Sequence, residues 1–458
     1  MDNFEGVKIV VMGLARSGEA AAGMLSNMGA EVLVSDQKSE GELKERIDRL
    51  KSEHSGIMFC LGGHPEGLLD WANMIVISPG VPSNIPILNH ARQRGIPVIG
   101  EIELAYRVCK CPVIAITGTK GKSTTSTVLG EILANYRRKN GMGKTIVAGN
   151  IGKPITKYVI DLEENDLLVL EVSSFQLETI VYFKPYISVI LNITIDHLDR
   201  YESKGDYAAA KYRIFENQDA HDYIILNADD PLTLGCVKRT KAKSVLFSTD
   251  RKLEQGVFLK KGSIVAKLNN KEIEIMKASE LHIPGTHNLN NAMAATGASL
   301  VYGADVDSIS NNLKKFAGLE HALEFVEQIN GVTFINDSKS TNAISLQAAL
   351  ESFPADIVLI IGGRDKGNEY EPVRNLIQNK VSHMVVIGES SDKIINNLGV
   401  YAECHRPSTF EEAVKLSYSL AKSGDTVLLS PACASFDMFQ DYAQRGRIFK
   451  ELVRGLAG

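Results

Sequence analysis

Apolar and polar positions along the chain follow two periods in alternation. Over residues 1–100 the short apolar runs VKIVVMG, EVLVSD, MIVISPG and IPVIG are separated by helical stretches such as GELKERIDRLKSE, the pattern of parallel βαβ units. A second round opens at CPVIAITGT, passes through DLLVLEVSS and YISVILNI, and closes with the helical NLNNAMAATGASLVYG. Inside it, Gly256 to Met276 is rich in alternation and turn residues, which predicts a small antiparallel insertion. A third strand and helix rhythm carries VTFIND, DIVLIIGG, HMVVIGE and TVLLSPA. The expected fold is α/β with three domains: a Rossmann-like block over 1–100, a central P-loop ATPase-like parallel sheet with the antiparallel insertion over 101–318, and a second Rossmann-like block over 319–458.

Composition narrows the class. With 458 residues, 44% hydrophobic and 23% charged, the chain has globular values and room for two to four cores. A net charge of -5 gives no basic footprint for nucleic acid or an acidic membrane surface. No apolar stretch approaches the roughly 20 residues that span a bilayer, and the amino terminus resembles neither a signal nor a transit peptide. Six cysteines lie scattered, with Cys109 and Cys111 as the one close pair, and read as reduced thiols. A cytoplasmic protein is expected.

Two loops offer anion chemistry. In MGLARSGEAAAGML, Gly13 and Gly18 flank a strand-to-helix turn, but Ala15 stands where the dinucleotide fingerprint needs its middle glycine. NAD therefore loses support in favour of a mononucleotide or nucleotide-sugar, with Asp36 at the next strand end available to ribose hydroxyls or a base edge. In ITGTKGKSTT the standard first glycine of a P-loop is replaced by Ile116, yet a strand precedes and a helix follows. Gly118, Thr119, Lys120, Gly121, Lys122, Ser123 and Thr124 form the candidate cradle. Lys122 would clamp the β- and γ-phosphates, and the Ser123 hydroxyl would ligate Mg²⁺. Glu171 ends one later strand and His197 follows another, where ligands of a parallel sheet gather. By pattern alone a loop histidine reads as a surface or capping residue, and Lys211 in YAAAKYRIFEN as a solvated helix lysine.

The segments GTKGKST, GNIG, EVSSFQLE, NITIDHLDRY, AKYRIFEN and GTHNLNNAMAA resemble, in order, the central domain of the Mur ligases. In that family the loop is a shortened Thr-Gly-Thr-x-Gly-Lys-Ser/Thr variant, with Lys120 here at the variable position. INDSKSTN, GGRDKG and SPACASFDMFQDYAQRG resemble the member that joins D-glutamate to UDP-N-acetylmuramoyl-L-alanine. The resemblance covers essentially the whole chain. It implies an ATP-dependent amide ligase of peptidoglycan precursor synthesis, using ATP and two Mg²⁺ ions and working as a monomer.

It also implies site roles. Lys211 would be carbamylated and, with His197, hold the second Mg²⁺, while Glu171 and Ser123 hold the first; Lys122, His197 and Lys211 would be the catalytic set. Asn288 and Asn291 would lie near adenine and ribose, and Asp337 and Lys339 in a nucleotide-facing motif. The sugar nucleotide is expected against Ala15, Arg16, Ser17, Asp36 and Gly80 on one side and Asn150, Ser173 and His197 on the other. D-glutamate is expected near Thr341, Lys366, Ser435, Phe436 and Tyr442. One departure stands out: after GLEH the family usually carries an arginine that approaches ATP, and here the residue is Ala322. Its loss would weaken ATP binding, or Arg364 would replace it. Among rivals, folylpolyglutamate synthetase lacks the first Rossmann-like block, a nucleotide switch would need no small substrate, and a dehydrogenase would bind NAD.

Overall fold

The computed structural model describes residues 3–150, 154–194, 201, 203–283, 285–365 and 367–456. Three sheets carry the chain. The first contains β1 (Lys8–Met12), β2 (Glu31–Asp36), β3 (Met58–Leu61), β4 (Met74–Ile77) and β5 (Val98–Gly100), all parallel, in the order β3-β2-β1-β4-β5. Its middle strand is apolar on both faces because helices cover both, which is why VKIVVMG reads as a continuous run. The order reverses between β1 and β4, and a crevice for a ligand opens at such a reversal. The helix Glu40–Glu53 shows how the flanking layer forms: a Ser39 and Glu42 capping box starts it, and Leu43, Ile47 and Leu50 recur on its buried face.

The second sheet holds nine strands: β6 (Val113–Thr117), β7 (Thr145–Gly149), β8 (Leu167–Glu171), β9 (Ile187–Ile190), β10 (Tyr223–Asn227), β11 (Lys243–Ser248), β12 (Gly256–Lys260), β13 (Ser263–Leu268) and β14 (Lys271–Lys277). Their order is β14-β13-β12-β11-β10-β9-β6-β8-β7. The antiparallel segment expected as an insertion is continuous with this sheet: β12 pairs parallel with β11, and β13 and β14 then fold back as an antiparallel edge. The third sheet contains β15 (Glu324–Ile329), β16 (Val332–Asn336), β17 (Ile357–Gly362), β18 (Val381–Ile387), β19 (Glu403–His405) and β20 (Thr426–Leu429), in the order β15-β16-β20-β17-β18-β19. Only β15 is antiparallel to its neighbour.

By packing, the chain forms two compact units: Met1–Glu280 with Asn290–Leu313, which includes the first two sheets, and Leu281–Leu289 with Lys314–Gly458, which includes the third. Two buried carboxylates join the first two sheets. Glu101 accepts the amide and hydroxyl of Thr156 at 3.2 and 3.0 Å, and Glu103 accepts the amides of Val181, Tyr182 and Phe183 at 2.9–3.1 Å. Burial pushes the Glu101 carboxyl above its ordinary range, against the hydrogen bonds from Thr156. Among the described residues no helix is long and apolar enough to cross a membrane.

Candidate active site

The central loop leaves the buried end of β6 and enters the helix Lys122–Lys139. Gly121 caps that helix in the left-handed region, φ +84°, which a side-chain-bearing residue adopts only under strain. The turn is braced from the neighbouring strand. Thr119 and Lys120 donate their amides to the carbonyl and side-chain oxygens of Asn192 at 3.0 and 2.9 Å, and the Asn192 amide returns a bond to the Lys120 carbonyl at 3.0 Å. Asn192 was not visible as a site residue in the sequence, since only the fold brings the end of β9 to this loop.

Two cations converge on one carbonyl. Lys122 Nζ donates to Gly118 O and Thr119 O at 2.9 Å each, and Lys211 Nζ donates to Gly118 O at 2.9 Å. Lys211 is 1% exposed, with its ammonium 4.5 Å from the centre of the Tyr207 ring. The helical pattern had suggested a solvated lysine; packing places it in the core, reaching the loop across 93 residues of chain.

Glu171 ends β8 opposite Ile116 and Gly149, and is 2% exposed. One of its carboxylate oxygens accepts from Asn150 Nδ2 at 2.7 Å; the other is buried and has no hydrogen-bond partner among the described residues. A buried carboxylate oxygen left without a donor is costly, and a cation satisfies it. Gly149 permits the arrangement, because a Cβ there would lie 2.3 Å from the Glu171 carbonyl oxygen. Ser123 and Thr124 sit half-buried in the first turn of the helix. Ser173 caps the short helix Ser174–Leu177, exchanging hydrogen bonds with Gln176. Asn291, 4% exposed on the helix Thr286–Tyr302, lies over Gly121, where an added Cβ would come within 2.2 Å of its side-chain oxygen. Asn288, one turn earlier, is also buried. His197 lies outside the described residues.

The first loop lines a separate cavity of about 270 Å³. Gly13, Ala15, Asp36, Gly80 and His64 are among its walls. Asp36 accepts the Leu14 and Lys38 amides at 2.6 and 2.9 Å, so it shapes the turn besides facing the cavity. Arg16 and Ser17 open the helix Arg16–Asn27, with Arg16 exposed. His64 escaped the sequence reading; Ser35 Oγ holds its Nδ1 at 2.7 Å, and burial lowers its pKa while Asp36 raises it.

In the second unit the expected residues gather at the carboxyl ends of β16, β17 and β20. Asp337 is buried, accepting from the Leu323 amide and Ser430 Oγ at 3.2 and 2.8 Å, and burial pushes its pKa up to about 7. Lys339 is exposed two residues on. Arg445, unmarked in the sequence, is 1% exposed and donates to Ser338 and to the Cys433 carbonyl, tying the Asp337 turn to the Ser435 loop. Thr341 is half-buried, Ser435 buried, and Phe436 and Tyr442 exposed. Lys366 lies outside the described residues. Arg364 makes a two-pronged pair with Glu389 at 2.9 and 2.8 Å, both side chains exposed.

Residues 7–100 match the Mur ligase MurD-like N-terminal domain, 116–299 the Mur ligase middle domain, and 323–433 the Mur ligase glutamate ligase domain. The chain is 45% identical over 449 residues to the UDP-N-acetylmuramoylalanine--D-glutamate ligase of Geotalea uraniireducens, covering 98% of this chain and 97% of that protein. It is 44% identical to the enzyme of the same name from Thermoanaerobacter pseudethanolicus, covering 99% of each. The solved structure of MurF from Acinetobacter baumannii shares the fold, with a TM-score of 0.58 at 17% identity over 98% of this chain and 94% of that one. Matched along nearly its whole length at this level, the chain belongs to the Mur ligase family, in its MurD-like branch.

Proposed function

We propose that this protein joins D-glutamate to UDP-N-acetylmuramoyl-L-alanine at the expense of ATP, in the cytoplasm where both nucleotides are made. The observation that carries the proposal is the convergence of Lys122 and Lys211 on Gly118 beside the part-unsatisfied carboxylate of Glu171. Two ammonium groups on one carbonyl repel each other; converting Lys211 to its carbamate removes that repulsion and leaves Lys122 as the cation for a triphosphate. The division into domains 1–100, 101–318 and 319–458 belongs to the same reading, with the sugar nucleotide, ATP and the amino acid assigned to them in turn.

A carboxylate is a poor electrophile. Its oxygen therefore attacks the γ-phosphorus, ADP leaves, and an acyl phosphate forms. The amine of D-glutamate then attacks the acyl carbon, loses a proton and expels phosphate. No side-chain nucleophile is required. Lys122 holds the charge that moves onto the β,γ-bridging oxygen, and the amides at the helix start cradle the phosphates. Glu171 and Ser123 would hold one Mg²⁺, and Lys211 as its carbamate a second with His197; bound Mg²⁺ would neutralise the transferring phosphoryl group. The Lys211 bond to Gly118 is compatible with that modification, because a carbamate nitrogen keeps one N–H. Asp337, Lys339, Thr341, Lys366, Ser435, Phe436 and Tyr442 remain the candidates for orienting nucleotide and amino acid.

The test is phosphate release measured with each substrate withheld in turn, with D- against L-glutamate, and with and without bicarbonate. Release that needs ATP, UDP-N-acetylmuramoyl-L-alanine and D-glutamate together supports the reading. Release with ATP and a protein partner alone overturns it.

A further inference from the structure

The third sheet ends in β19, a strand of three residues whose outer edge no other strand covers among the described residues. Along it, Glu403 and His405 project to one face and Cys404 to the other, by the alternation of a strand. Cys404 packs against the core of the sheet. On the opposite face, His383 of β18 stands directly across from Glu403 in the parallel register, while His405 stands across from Val385. His405 leans back to His383, so that His405 Nε2 and His383 Nδ1 face each other at 3.2 Å. The Glu403 carboxylate completes the group, with oxygens 3.5 Å from His383 Nδ1 and 3.7 Å from His405 Nε2.

These separations have a chemical meaning. A tetrahedral ion with bonds of 2.0–2.1 Å to imidazole nitrogen sets its ligands about 3.3–3.4 Å apart. The edge between the imidazoles lies within a few tenths of an ångström of that, and the carboxylate straddles the pair, with Oε2 toward His383 and Oε1 toward His405. Two imidazole nitrogens aimed at each other can share one metal ion, and the carboxylate beside both adds an anionic ligand. Arg406, next to His405 in sequence, pairs with Asp392 at 2.5 Å. The rings are about one-fifth exposed and Glu403 is largely exposed, which leaves a fourth position for water.

We propose that His383, Glu403 and His405 form a binding site for a divalent transition-metal ion of the zinc class, completed by water, that fastens the edge strand β19 to β18. Imidazole and carboxylate together suit zinc, cobalt or nickel, whereas magnesium prefers oxygen alone. The site belongs to the third sheet and uses none of the residues assigned to ATP, so it is separate from the magnesium chemistry proposed above and does not depend on it.

Cobalt(II), a coloured stand-in for zinc, tests this on the full-length protein in excess magnesium. The expected result is one equivalent of cobalt with visible ligand-field absorption, no thiolate charge-transfer band, and displacement by zinc. His383→Ala and His405→Ala should each weaken binding at least roughly tenfold, since even second-shell losses reach that size. The double variant should abolish it, and Cys404→Ser should leave it unchanged. Zinc should raise the unfolding temperature of the wild type and leave that of the double variant unmoved, while ligase turnover of both is the same in magnesium alone. Cobalt bound as tightly by the double variant, a thiolate band lost in Cys404→Ser, or no cobalt bound at all would overturn the assignment.

Discussion

The turns Gly13–Gly18 and Gly118–Lys122 share one grammar, a buried parallel strand, a glycine at positive φ and a helix start, yet they differ in what holds them and in what they offer. The first is closed by its own sheet: Ser78 Oγ donates to the Gly13 carbonyl at 2.7 Å, and Gly18 lies so close that a Cβ would sit 1.8 Å from that carbonyl oxygen. The second is likewise braced by the neighbouring strand of its own sheet, through Asn192, but it is also overlaid by Asn291, and two lysines are aimed at its first glycine. The glycine pattern makes a turn in both cases. The cations, and the helix residue Asn291 lying over Gly121, distinguish the loop proposed for triphosphate from the loop proposed for a sugar nucleotide.

The sharpest way to break that contrast is Lys122→Ala. Loss of the charge proposed to face the transferring group should cost about 10²–10³-fold in kcat, with the circular dichroism spectrum and the affinity for the sugar nucleotide unchanged. Full activity would remove Lys122 from the phosphate role. A paired glycine experiment comes next. Gly18→Ala drives a methyl into backbone and should destabilise the unit by roughly 1–3 kcal/mol or more in urea unfolding, while its ATP affinity per folded molecule holds. Gly121→Ala meets a side chain that can move, so its main cost should fall on the KM for ATP, by about tenfold, through strain at φ +84° and displacement of Asn291. Equal effects of the two variants on stability and on ATP would erase the distinction.

Asn192→Ala should act more mildly. It removes the side-chain bonds to Lys120 N and Lys120 O, worth about 1–3 kcal/mol if it falls on the bound state, and should raise the KM for ATP several-fold at nearly constant kcat. A purely structural role would lower the melting temperature and spare KM. The smallest effect belongs to Lys120→Ala, within about twofold in kcat/KM. The backbone of Lys120 is what the loop uses, and its exposed head lies in high dielectric. A large loss there would show that a third cation belongs to the site.

Much of the candidate site was legible because its residues stand at strand ends in recognisable local patterns. Gly118, Gly121 and Lys122 follow a buried strand, and Glu171 ends another; both facts survive in the one-dimensional pattern. Lys211 was misleading from the pattern alone, since YAAAKYRIFEN has an ordinary helical spacing and burial depends on what covers the helix. Arg445 and Asn192 were invisible for the same reason: an arginine in a helix and an asparagine after a strand are commonplace, and their partners lie 107 and 72 residues away. The antiparallel stretch from Gly256 was correctly read as hairpins, but its fusion to β11 required the pairing of Phe247 with Val257.

The sequence by itself determined the local conformations: strand period, helix starts, glycine turns and the cations placed within them, because these arise between residues a few positions apart. Only the tertiary structure decided that Lys211, Asn192 and Asn291 meet one loop, and that His383 faces His405. Those meetings depend on strand order and register, which are selected by burial of whole faces against one another and leave no mark in any single stretch of chain.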